Sequence, residues 1–233
     1  MALYGASSLR TARRCRLTVA DTQTGVEAET RTKQDNRSIA TKEKLLDATY
    51  EILRDAGHAG LRSASVCEVS GVSRGGLLHH YPTKELLIAA TFERIVENME
   101  AESWRRIETA SDDTLLADIA ADAQSRFCSD SYRIILDILI ASGKDKTIVQ
   151  VQKALAQADR PPAREGWAQR LADTGIDSSS AHQISALIWN MFKGLAARNN
   201  VRVDQTLSDS VTGLALELAQ QKYEQARRAN RND

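Results

Sequence analysis

From Ser38 onward, apolar residues recur at helical spacing with charged and polar residues between them. Leu45, Thr49, Ile52, Leu53 and Ala56 form the first stripe, with Thr41 as the expected N-cap and Gly57 as the expected stop. Two short helices are predicted next, Ser63 to Ser70 and Arg74 to His80, joined through Gly71, Val72 and Ser73. Pro82 blocks continuation, because the residue before a proline avoids the helical region. Thr83 is then a suitable N-cap for a long helix reaching about Thr109, with Glu85 favourable in its first turn and Ile88, Phe92, Ile95 and Met99 along one face.

The same pattern continues to the C-terminus. Helices are predicted near Thr114 to Cys128, Tyr132 to Ala141, Asp145 to Ala158, Ala163 to Ala172, Ser180 to Asn199 and Asp204 to Arg228. Strand-like alternation is absent, and no repeat of solenoid period is visible. The expected fold is all-α: an N-terminal three-helix head on a larger helical body. Its parts would be a basic flexible tail (1–36), a helix-turn-helix domain (37–85, its motif at about 63–82), a helical domain (86–228) and a short tail (229–233).

The 233 residues carry 31 basic and 31 acidic side chains, so total charge advertises no partner. Its distribution leans the right way for a DNA-facing head, with thirteen basic and ten acidic residues in the first 90 against eighteen and twenty-one in the rest. Three scattered cysteines, Cys15, Cys67 and Cys128, suit a reducing compartment, with the latter two read as small buried hydrophobes. No apolar run is long enough for a membrane helix. The first 20 residues contain four arginines and no acid. They lack a secretory core and read as a tail, with an organellar transit peptide or a minor-groove arm as the alternatives.

The segment Ser63 to Tyr81 carries the chemistry. Two short helices about a glycine-containing turn make a helix-turn-helix, whose second helix enters the major groove. Val66, Val69, Val72, Leu77 and Tyr81 can pack the pair against the first helix. Gly71 supplies the turn, Ser73 can cap the second helix, and Arg74, Gly75, Gly76, His79 and His80 leave a donor-rich face open to close approach.

Thr41 to about Phe92 closely resembles the DNA-binding domain of TetR-family (tetracycline-repressor) transcriptional regulators. The match runs through Leu45–Leu46–Asp47–Ala48, Gly71–Val72–Ser73–Arg74–Gly75, Leu77, His80, Tyr81, Thr83, Lys84, Glu85 and Leu87. The resemblance implies that Ser73 and Arg74 meet phosphate or a base edge, that Gly75 and His79 face the groove, and that His80, Thr83 and Lys84 hold phosphate. Leu78 stands where the family commonly has tyrosine, which suggests an apolar contact to a thymine methyl instead of a hydroxyl contact. Arg62 stands where a capping threonine is common, so Ser63 is expected to cap while Arg62 binds phosphate.

Competing motifs are weaker. Gly71 to Gly75 also fits a hydrolase nucleophile elbow, but no buried strand precedes it and His182 is the only histidine beyond His80. His79 and His80 point about 100° apart on a helix and share no ligand-spaced partner, so no metal site, catalytic residue or cofactor is expected.

In the body, Ile184, Leu187, Ile188, Met191, Phe192 and Leu195 follow helical spacing, as do Leu207, Val211, Leu214 and Leu218. These stripes are either plain core or, as the resemblance favours, the two helices that pair with their copies in a homodimer. The helix Tyr132 to Ala141 is apolar nearly all round, which predicts burial, yet carries Arg133 and Asp137 one turn apart. That pair reads as a mutual ion pair or a contact with another helix, or else as the polar part of a ligand pocket walled by Trp104, Phe127, Trp167, Trp189 and Phe192. Together these readings describe a cytoplasmic, homodimeric repressor that binds a palindromic double-stranded DNA operator and is released by a small-molecule effector. The alternatives are an activator of the same family, or an all-α ligand-binding protein or enzyme with an incidental helix-turn-helix.

Overall fold

The computed structural model describes residues 19–143, 146–156, 162–199 and 203–230. Ten helices and no strand occur among them: α1 (Val19–Gly60), α2 (Ser63–Ser70), α3 (Arg74–His80), α4 (Lys84–Thr109), α5 (Leu115–Phe127), α6 (Asp130–Ser142), α7 (Lys146–Ala156), α8 (Ala163–Ala172), α9 (Ser178–Asn199) and α10 (Gln205–Ala229). Packing divides the chain into two units, Met1–Glu43 and Lys44–Asp233.

The largest difference from expectation is at the start. The helix expected from Thr41 runs from Val19, and Thr41 lies inside it, its hydroxyl donating to the Arg37 carbonyl at 2.8 Å. Residues 22–40 contain no proline and one glycine, Gly25, so nothing in them halts a helix. The remainder of the expected tail, with its arginines and Cys15, lies outside the described residues.

Gly57 does interrupt the helix. Its φ of 66° and ψ of −177° are not helical, and a positive φ favours glycine. The ends of α2 to α4 follow the predicted chemistry closely. Gly71 closes α2 with φ 66°, ψ 13°. Ser73 caps α3 by accepting the Gly76 N–H at 3.1 Å, and Thr83 caps α4 by accepting the Leu86 N–H at 3.2 Å.

Two apolar clusters hold the second unit together. One joins Leu45, Leu53, Leu61, Val66, Leu77, Leu87, Ile88 and Phe92 to Ile134, Ile135 and Ile138 of α6 and Ile148 of α7. The helix-turn-helix is therefore not closed by its own three helices, because α4, α6 and α7 complete its core. The other cluster gathers α4, α5, α8, α9 and α10 around Ile119, Trp167, Leu171, Ile184 and Ile188. Val69, expected to pack inward, is instead 50% exposed, and Cys128, read as buried, is exposed while Cys67 is half-buried.

Candidate nucleic-acid interface and body cavities

None of the candidate DNA contacts is buried. Arg62, Ser63, Ser73, Arg74, Gly75, Leu78, His79 and Thr83 are exposed, and His80 and Lys84 are half-buried. Leu77, at 2% exposure, and Val66, at 0%, anchor α3 and α2 from beneath. The helix α3 thus has a packed side and a free side within seven residues. One local reading changes: Arg62, extended at φ −132°, occupies the N-cap position of α2 and makes no side-chain cap bond, while Ser63 is the first helical residue. The Arg62 guanidinium is consequently not engaged by the cap.

In the body, Arg133 and Asp137 do not pair with each other; each makes the other expected kind of contact, to a different helix, here α1. Arg133 is exposed, pairs with Asp130 at 3.0 Å and donates to the Arg54 carbonyl at 3.2 Å. Asp137, half-buried, accepts the backbone N–H of His58 at 2.5 Å. Arg54 C=O and His58 N–H are the two groups that bond one another in an uninterrupted helix. The break at Gly57 frees them, and two residues one turn apart on α6 hold one each. Tyr50 and Ser131 add a hydroxyl contact of 3.1 Å between the same helices. Nor is α6 buried all round, since Ile140 is 80% exposed.

A cavity of about 240 Å³ is lined by Phe127, Cys128, Ser129, Asp130, Arg133, Ala196 and Asn199. A second, of about 220 Å³, is bounded by Met99, Ser103, Asp122, Arg126, Ser129 and Ser131 among others. Phe127 and Arg133 therefore share a cavity wall, whereas Trp104, Asp137, Trp167, Trp189 and Phe192 line neither of these two. Trp167 and Phe192 are core, at 0% and 4% exposure. Trp104 lies against Gly166, where a Cβ would come within 2.5 Å of its ring. Trp189 is 4% exposed with its Nε1 unpartnered, under the Arg126 guanidinium 5.3 Å from its ring centroid.

Sequence reasoning missed Asp122. This carboxylate, 1% exposed, accepts from Trp167 Nε1 at 2.8 Å and Ser103 Oγ at 3.0 Å. Burial pushes its pKa up, against the pull of those two bonds and of Arg106 and Arg126. The signal was present, because Asp122 falls on the inward stripe of Leu115, Ile119, Ala123 and Phe127.

The dimer candidates split in two. Ile184, Ile188 and Leu195 are 1%, 0% and 9% exposed, so they belong to the protomer's own core, and Met191 packs against it. Leu187, Leu207, Leu214 and Leu218 are 39%, 44%, 59% and 47% exposed, and Val211 is half-buried beside them. Among the described residues no group of three or more His, Cys, Asp or Glu side chains is placed to hold a metal, and no helix is long and apolar enough to cross a membrane.

No family model matches the chain. It is 32% identical over 199 residues, 85% of its own length and 98% of the relative's, to the HTH-type transcriptional regulator CymR of Pseudomonas putida. Its fold is similar to that of a TetR transcription regulator from Haloarcula marismortui, at a TM-score of 0.55 and 17% identity, over 80% of this chain and 98% of that one. It is also similar to that of the transcriptional regulator FadR of Bacillus subtilis in complex with stearoyl-CoA, at a TM-score of 0.54 and 15% identity, over 75% and 97% of the two chains. The end-to-end match to a curated regulator, with an exposed helix-turn-helix capped and packed as that function requires, makes this chain a transcriptional regulator of the TetR family and not an enzyme.

Proposed function

We propose that the protein is a cytoplasmic, homodimeric repressor whose two recognition helices read a palindromic operator and whose body takes up a small effector that releases it. The observation that carries the reading is the free face of α3. Arg74, Gly75, Leu78 and His79 are exposed there; Arg62, Ser63, Ser73 and Thr83, on the flanking segments, are exposed too, and His80 and Lys84 are half-buried. One short helix makes few base contacts, whereas a two-fold pair reads half-sites about 34–36 Å apart. The apolar stripe of Leu207, Val211, Leu214 and Leu218 on α10, with Leu187 on α9, supports pairing, since such a stripe on a soluble chain calls for a partner surface.

The effector's place is the cavity beside Phe127 and Arg133. Arg133 walls that cavity and also holds the Arg54 carbonyl of α1. An effector that engages the guanidinium therefore competes with the head for it, and α6, embedded in the head's own core through Ile134 and Ile138, passes on any shift. Selection of bound duplexes from a randomised pool tests the reading. The expected result is a palindrome bound by two chains; recovery of no preferred sequence would overturn it. For the effector site, Arg133→Ala should alter release by the inducing compound, and unchanged induction would remove the assignment.

A further inference from the structure

The free face of α3 also points to how the operator is read, an inference that rests on the reader proposed above. Leu78 is 46% exposed, although its neighbour Leu77, at 2%, is the residue that fixes α3 to the core. Residues three and four apart share a helix face. Leu78 therefore lies beside Gly75 and Arg74, both exposed. The two glycines of α3 have different causes. A Cβ at Gly76 would come within 2.9 Å of Val72 Cγ1, so that glycine lets the turn pack. A Cβ at Gly75 would meet nothing within 4 Å, and its φ is not in the left-handed region. Neither packing nor backbone geometry asks for glycine there, in a helix that glycine weakens. What the missing side chain leaves is a bare strip of backbone, open to an outside surface, with an isobutyl group rising next to it.

We propose that Leu78 reads the 5-methyl group of a thymine in the major groove of each half-site, with Gly75 as the gap that lets the base edge reach it. Thymine alone presents a methyl group on that edge. An apolar side chain facing any other base there would leave that base's donor or acceptor without a partner once water is excluded. Arg74, on the same face, supplies the charge that holds the backbone nearby. Val69 and Leu86, also exposed at 50% and 43%, belong to α2 and α4 and not to the helix that enters the groove.

The test uses the full-length protein and the best duplex it selects from a randomised pool. Each thymine is replaced in turn by uracil, which removes the methyl group and nothing else. At one position per half-site uracil should weaken binding about fourfold, the value of one buried methyl group, and about fifteenfold when both are changed. Leu78→Ala should melt as the parent does, because the side chain is exposed, and should bind the thymine and uracil duplexes equally. The inference is overturned if no uracil replacement matters, or if Leu78→Ala keeps the parent's full sensitivity. A protein that selects no duplex overturns the DNA-reading function itself, whereas one that binds its duplex with indifference to every methyl overturns only the role of Leu78.

Discussion

Replacing Asp137 tests the connection between α6 and the broken end of α1. Its carboxylate accepts the His58 N–H at 2.5 Å, just after the residue where α1 loses helical geometry. A hydrogen bond to a charged group contributes about 1.5–3 kcal/mol, and partial exposure of Asp137 argues for the lower end. Asp137→Ala should thus destabilise the protein by about 1.5 kcal/mol, which for a chain of this size lowers Tm by about 3–6 °C. Asp137→Asn keeps an acceptor oxygen and should cost less than half of that. Gly57→Ala makes the argument sharper. Alanine at φ 66°, ψ −177°, a region essentially confined to glycine, costs about 1–3 kcal/mol in backbone strain, and its Cβ would stand 3.1 Å from Asp137 Oδ2. With Asp137 already alanine that crowding is gone, so the double variant should lose less than the sum of the two single losses. Thermal unfolding followed by circular dichroism reads all four variants, at one fixed protein concentration because the Tm of the proposed dimer depends on it. The reasoning is refuted if Asp137→Ala melts with the parent, or if alanine and asparagine are equivalent.

Other consequences follow from residues already described. Burial raises the Asp122 carboxyl above its ordinary pKa of about 4, so the folded state holds that proton more tightly than the unfolded state. This group's contribution to stability therefore falls as pH rises from about 4 through the raised value. Denaturant titrations at a series of pH values should show Asp122→Asn gaining on the parent across that window, and a constant difference would contradict the account. Gly166→Ala would force a Cβ to within 2.5 Å and 2.8 Å of Trp104 ring atoms and 2.9 Å of Ile107 Cδ1, so a loss of about 1–3 kcal/mol is expected in chemical unfolding. Gly75→Ala should behave oppositely in two assays, melting slightly higher because alanine favours the helix by about 1 kcal/mol, yet binding DNA more weakly because the bare strip is filled.

The parts of this protein legible in the sequence are those governed by local rules. The bounds of α2, α3 and α8 match expectation to the residue, because Gly71, Ser73 and Pro162 act on the backbone beside them. Asp137 shows where such reading stops. From spacing alone its natural partner was Arg133 on the next turn, but Asp130 lies within reach of Arg133, and the break at Gly57 offers a backbone N–H that only tertiary packing brings near. The α9 stripe left two readings open for a related reason. Helical spacing identifies an apolar face without saying what covers it, and Ile184 and Ile188 are covered by the same chain. Leu77 and Leu78 are identical in type, and only the family resemblance told the one expected to pack from the one expected to face DNA; their exposures are 2% and 46%.

The most direct test of the central claim is the salt dependence of binding between the full-length protein and its selected duplex. Phosphate contacts release counterions, so log K should fall linearly with log salt. Arg62→Ala and Arg74→Ala should each make that slope shallower, by about one for each phosphate that the arginine neutralises. A slope near zero, or one that neither substitution changes, would contradict the assignment of α2 and α3 as the surface that holds DNA.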